Sequence, residues 1–183
     1  MIKTHNFKIL ALGAALCAAA GAQAQSVVNG GFETGDFSGW NESGVVGTIY
    51  GVDTAGPHLG NYSAFFGAST PAAWISQAIA TTPGTMYTVS FWFDRSAQTS
   101  SGLFAVTFGG ALIFSDPGQT FPFGQVSVNV MANSSSSELR FAANNNSDFY
   151  TLDNVTVTVV PEPGAAALML MGISGLLAWR RRR

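Results

Sequence analysis

From Tyr87 to Phe93 the chain alternates without a break. Tyr87, Val89, Phe91 and Phe93 fall on one face, and Thr88, Ser90, Trp92 and Asp94 on the other. A period of two is the mark of a strand with one buried face. Leu103 to Phe108 repeats it, aligning Phe104, Val106 and Phe108, and Gly109-Gly110 then supplies a two-residue hairpin turn before Ala111 to Phe114 returns. Gln125 to Met131 aligns Val126, Val128 and Val130; Leu139 pairs with Phe141; Val155, Val157 and Val159 make a last strand with Thr156 and Thr158 facing out. The intervening segments, such as Asn133 to Ser137 and Asn144 to Ser147, consist of turn formers. No sustained helical period occurs between Gln25 and Val159. Many short strands separated by turns predict an all-β domain, a β-sandwich of the jelly-roll kind.

The two ends follow other patterns. Lys3 and Lys8 precede an apolar run from Ile9 to Ala20, and Ala22-Gln23-Ala24 has the small-x-small form of a signal peptidase site, so the mature chain is expected to start at Gln25. At the other end Val160-Pro161-Glu162-Pro163 leads into an apolar run, Gly164 to Trp179, closed by Arg180, Arg181, Arg182 and Arg183. As a helix those 16 apolar residues reach about 24 Å, short of a hydrocarbon core of about 30 Å. Trp179 suits the interface, and snorkelling arginines extend the reach. The arginine cluster should remain cytoplasmic, which places the domain outside the inner membrane. The two prolines keep the connecting segment extended and accessible. Three parts result: a signal peptide over 1–24, a domain over 25–159, and a tail over 160–183 with a transmembrane helix over 164–179.

Pro161-Glu162-Pro163, a short apolar helix and a terminal arginine cluster together resemble the PEP-CTERM sorting signal of Gram-negative bacteria. That resemblance implies an exosortase that recognises and removes the tail, transient anchoring in the inner membrane, and delivery to the cell surface or the extracellular matrix.

Charge narrows the possible partners. Between Gln25 and Val160 nine acids face only Arg95 and Arg140, a net of −7. Such a surface is a poor polyanion binder, which argues against nucleic acid. The single cysteine, Cys17, lies in the signal peptide, so no disulfide, thiolate metal site or cysteine nucleophile is expected in the mature domain. His58 is its one histidine, and neither a nucleophile elbow nor a metal-type His spacing is present. Glu33, Asp36 and Glu42 lie near one another, as paired carboxylates of a small glycoside hydrolase would, but acids in a Gly-rich loop also serve as turn residues. The expectation is a domain that is not an enzyme.

A second resemblance spans Ser26 to Val159. Asn29-Gly30-Gly31-Phe32-Glu33, Gly39-Trp40, Gly60-Asn61-Tyr62-Ser63-Ala64, Ile75-Ser76-Gln77, Pro83 to Phe91 and Leu152-Asp153-Asn154-Val155 occur in an order similar to that of the galactose-binding-like jelly roll of many carbohydrate-binding modules. It implies a structural calcium between the first and last strands, with Glu33 and Asp153 as ligands. Sugar binding needs exposed flat aromatics with polar neighbours. Trp92, with Asp94 on its face, is the first candidate, followed by Trp74, Tyr62 and Tyr50; packing of Trp92 beneath a loop is the alternative. Trp40 is expected in the core. The functions expected are, first, an exosortase-processed, non-catalytic surface or matrix protein, and second, a glycan-binding module for exopolysaccharide.

Overall fold

The computed structural model describes residues 27–43, 49–67, 71–95, 102–116, 121–144 and 148–161. The signal cleavage positions Ala22, Ala24 and Gln25, and the tail residues Glu162, Pro163 and Arg180 to Arg183 with the 164–179 helix, lie outside the described residues.

Ten strands run in chain order: β1 Asn41–Glu42, β2 Tyr50–Asp53, β3 Ser63–Phe66, β4 Ala73–Ala80, β5 Met86–Arg95, β6 Leu103–Phe108, β7 Ala111–Ser115, β8 Phe121–Met131, β9 Ser136–Asn144 and β10 Tyr150–Val159. They form two five-stranded sheets, ordered β1-β4-β9-β6-β7 and β2-β3-β10-β5-β8. All pairings are antiparallel. The alternation therefore has its expected cause, since each strand turns one face toward the other sheet.

The core lies between the sheets. Tyr87, Val89, Phe91 and Phe93 of β5 are buried, as are Phe104, Val106 and Phe108 of β6 and Leu139 and Phe141 of β9. Phe91 meets Phe141 edge-on at 5.3 Å between centroids, and Phe93 meets Phe104 at 4.3 Å. Trp40 is buried as expected; its ring stacks on Phe32, and its indole N–H donates to the Asn29 carbonyl.

The opening and closing motifs meet across the structure. The Val155 N–H donates to the Gly30 carbonyl at 2.8 Å. A Cβ on Gly30 would collide with the Val155 carbonyl oxygen, so the close approach requires glycine there. The register of β10 against β5 shifts between Asp153 and Thr156, and Asn154 takes a φ of 48° within that bulge. The bulge keeps Asp153 on the outer side while Val155 and Val157 return to the core.

Candidate functional site

The outer face of the β2-β3-β10-β5-β8 sheet is polar. Its rows follow from the register: Thr88 beside Asn129 and Thr158, Ser90 beside Ser127 and Thr156, Trp92 beside Gln125 and Asp153, Asp94 beside Thr151. Thr88 donates to Asn129 at 2.7 Å, and the Ser90 and Ser127 hydroxyls pair at 2.9 Å.

The segment between β2 and β3 folds over part of this face. Asp53 ends β2 and accepts the Ala55 N–H, closing an Asx-turn. The His58 imidazole lies flat on the Trp92 indole, 3.4 Å between centroids and 14° from parallel, with its Nδ1 2.8 Å from the Asn154 side-chain oxygen. Asp153 Oδ2 accepts the His58 and Leu59 N–H groups at 2.8 and 3.2 Å, and Oδ1 accepts the N–H of Asn154. Burial pushes the Asp153 carboxyl above its ordinary range, against the pull of those three donors. Glu33 holds the far end of the same loop. Its Oε1 accepts the Asn61 and Tyr62 N–H groups at 3.0 Å each, and Gly60, at a φ of 81°, packs against the carboxylate. The backbone donors of Tyr62 and Asn61 lower the Glu33 pKa.

Glu33 and Asp153 flank the same glycine, Gly31. A Cβ on Gly31 would lie 3.8 Å from Glu33 Cγ and 3.9 Å from Asp153 Oδ1. Among the described residues neither carboxylate has a Lys or Arg partner, and no group of three His, Cys, Asp or Glu side chains converges there or elsewhere. Asp153 accepts three N–H groups and Glu33 two, the Asn61 N–H being shared between both Glu33 oxygens. A calcium there would need free lone pairs on both carboxylates and main-chain carbonyls to complete its shell.

Where the β2–β3 segment leaves the sheet, a cleft of about 580 Å³ opens. Phe65, Asp94 and Thr151 make its floor in one row across β3, β10 and β5. Asp53, Ala55 and Gly56 form one wall; Asp148 and Phe149, with Ile49, form the other. The Phe149 ring meets Phe65 edge-on at 5.7 Å and is 44 % exposed. Apolar walls with carboxylates and a hydroxyl set among them are the composition of a small-molecule or sugar site.

The five aromatic and acidic positions singled out in the sequence do not gather. Asp94 lines the cleft. Trp92 lies on the same face, but His58 covers one side of its indole. Trp74 is on the opposite sheet, where the Arg140 guanidinium sits 4.2 Å from its ring centroid. Tyr62 packs in the opening loop, 3.4 Å from where a Gly35 Cβ would stand. Tyr50 faces inward and stacks on Phe66 and Phe37. The three acids of the opening segment are also separately engaged: Glu33 as above, Asp36 with Thr34 and Ser38, and Glu42 with the Tyr50 hydroxyl at 3.3 Å. The side-chain bonds of Ser38 and Thr34 lower the Asp36 pKa. Sequence reasoning passed over Asp53, Phe65, Asp148 and Phe149. The one signal available was the Phe149-Tyr150 doublet, in which a strand start carries an aromatic on each face.

The last 25 residues decide the chain's destination, because residues 159–183 match the model of the PEP-CTERM protein-sorting motif. The chain ends in a PEP-CTERM sorting signal. Proteins bearing it are exported, carry the motif as a C-terminal sorting signal for exosortase processing, and reach the cell surface or the exterior. No curated protein matches the chain in sequence. In structure it is similar to the enzymatically active domain of bacteriophage CBA120 tailspike protein 4 (TM-score 0.57, 18 % identity), covering 75 % of this chain and only 22 % of the tailspike chain. It is also similar to the CBM22-1 xylan-binding domain of Paenibacillus barcinonensis Xyn10C (TM-score 0.54, 17 % identity, 78 % and 99 % covered). A third is TmCBM61, solved with β-1,4-galactotriose (TM-score 0.50, 18 % identity, 76 % and 100 % covered). At these identities the likeness is one of fold, the β-sandwich of carbohydrate-binding modules.

Proposed function

We propose that the PEP-CTERM tail delivers a non-catalytic glycan-binding domain to the cell surface or extracellular matrix, and that the cleft between Phe149 and the β2–β3 segment is its sugar site. The observation that carries this reading is the cleft itself: two phenylalanine rings and Ile49 beside Asp53, Asp94 and Asp148. Rings stack on the apolar faces of a pyranose, and carboxylates accept its hydroxyl hydrogens. The fold likeness to modules that bind xylan and β-1,4-galactotriose supports it. The three parts of the chain then divide the work, with 1–24 for export, 25–159 for binding and 160–183 for sorting.

Affinity electrophoresis through gels containing the host exopolysaccharide, xylan or β-1,4-galactan tests the proposal. The domain should be retarded in at least one gel. Phe149→Ala and Asp94→Asn should migrate freely in that gel while remaining folded. A Trp92→Ala protein that loses retardation while Phe149→Ala keeps it would move the site to the indole, with His58 swinging aside. A calcium at Glu33 and Asp153 belongs to the same proposal as a structural element. Equilibrium dialysis should find one bound ion, lost in Glu33→Gln; no bound ion in the unaltered domain would remove it.

A further inference from the structure

The tail leaves the sandwich at one end only, and that end differs from the rest of the surface. The Val160 N–H donates to the Met86 carbonyl at 2.9 Å, so the sheet holds the chain to within one residue of Pro161. The apolar run begins at Gly164. Four residues of extended chain span at most about 14 Å. If the tail spans the bilayer, as its apolar run and arginine cluster lead one to expect, this end of the domain is tethered within that distance of the lipid headgroups.

Its composition suits that position. Beside Val160 lie the β4–β5 turn, Thr82 to Thr85, and the β8–β9 turn, Ala132 to Ser135, joined by bonds from the Gly84 N–H to the Ala132 carbonyl and from the Ala132 N–H to the Thr85 carbonyl. The β6–β7 turn closes against them through Gly109, whose Cβ position lies 3.6 Å from Asn133 Oδ1. None of these turns contains a charged residue, in a domain of net −7. Two large apolar side chains stand out from this end as cross-strand partners, Met86 at 40 % and Met131 at 61 % exposure. One exposed acid, Glu138 on β9, adjoins this end, its carbonyl accepting the Gly109 N–H. By contrast Asp53, Asp94 and Asp148 sit around the cleft, at the other end of β10. From Thr151 to Val160 nine strand steps cover about 30 Å.

We propose that the end carrying Met86 and Met131 is a membrane-facing surface, seated on phospholipid headgroups while the tail is inserted, and that it holds the cleft pointing away from the bilayer. An anionic leaflet repels acids, so the uncharged turns can approach it and the acidic end cannot. Methionine is flexible and polarizable and adapts to an irregular apolar boundary. The inference rests on the spanning reading of the tail, and the experiment separates the two.

In a Cys17→Ser background the chain has no other cysteine. Single cysteines replacing Met86, Met131 or Phe149 would each carry an environment-sensitive dye. The tail-bearing protein would be reconstituted into phosphatidylethanolamine–phosphatidylglycerol vesicles containing a headgroup quencher. The proposal predicts co-flotation with the vesicles, loss of most fluorescence at 86 and 131, and none at 149. Flotation with equal quenching at all three positions would overturn the orientation and leave the anchor standing. Failure to float would overturn both. Labels at 86 and 131 that stay bright until exosortase is co-reconstituted would assign this end to the processing enzyme instead.

Discussion

Gly30 and Gly84 are both glycines for backbone reasons, yet they answer to different demands. Gly84 turns with a φ of 80° and has open space around it, so Gly84→Ala should cost only the left-handed backbone penalty, about 1–2 kcal/mol. Gly30 has no room because the Val155 carbonyl occupies the place of a side chain. Gly30→Ala must push backbone from backbone and should cost about 1–3 kcal/mol. Urea unfolding would give the two costs, and amide shifts would distinguish them: the Asp153–Thr156 bulge should move in Gly30→Ala and stay in place in Gly84→Ala. The carboxylates give a second residue-scale test. Backbone and side-chain donors lower the pKa values of Glu33 and Asp36, so their contribution is present above the ordinary carboxylate range and disappears as pH falls through their lowered native values. Asp153, raised by burial, has the opposite sign, and its protonation favours the folded state. Glu33→Gln should therefore lose stability at neutral pH and show a shallower decline on acidification, read as a smaller change in unfolding midpoint between neutral and acid buffers.

At the scale of elements, the inter-sheet aromatic layer sets the fold's stability. Phe141 is fully buried and meets Phe91, Phe104 and Trp40 edge-on or tilted. Phe141→Ala should cost about 3–5 kcal/mol in chemical denaturation, a large share of the stability of an ordinary domain. That layer was legible in the sequence because alternation is a local signal: β5, β6 and β9 display their core faces residue by residue. The turn at Gly109-Gly110 was legible for the same reason. The first half of the chain was harder to read. β1 and β2 are two and four residues long, too short to show a period, and are held by pairing with distant strands. β8 and β10 start several residues before their alternating valines, through Phe121–Gly124 and Tyr150–Asn154, where the register shifts break the pattern. The cleft was illegible because its walls come from three separated segments, and only the register of β3, β10 and β5 brings Phe65, Thr151 and Asp94 into one row. Trp92 shows the same limit. Its outward face was correctly read, but that His58 lies on it depends on a loop fastened by Asp153, 95 residues away in sequence.

The described residues are polarised along β10. The turns at one end carry no charge and lead into the sorting motif; the other end gathers carboxylates around a cleft with aromatic walls. Export and sorting follow from the motif, and the sandwich is the cargo. Glycan binding by the cargo in that cleft is tested by amide-resolved NMR of the domain, with oligosaccharides released from the host exopolysaccharide, xylohexaose and β-1,4-galactotriose as titrants. One of these should shift the amides of Asp94, Phe149 and Thr151 in a saturable way, leave those of the opposite sheet around Trp74 unchanged, and bind Phe149→Ala roughly tenfold more weakly, the worth of one aromatic contact. Shifts centred on Trp74 and Arg140, or none with any of the three, would contradict it.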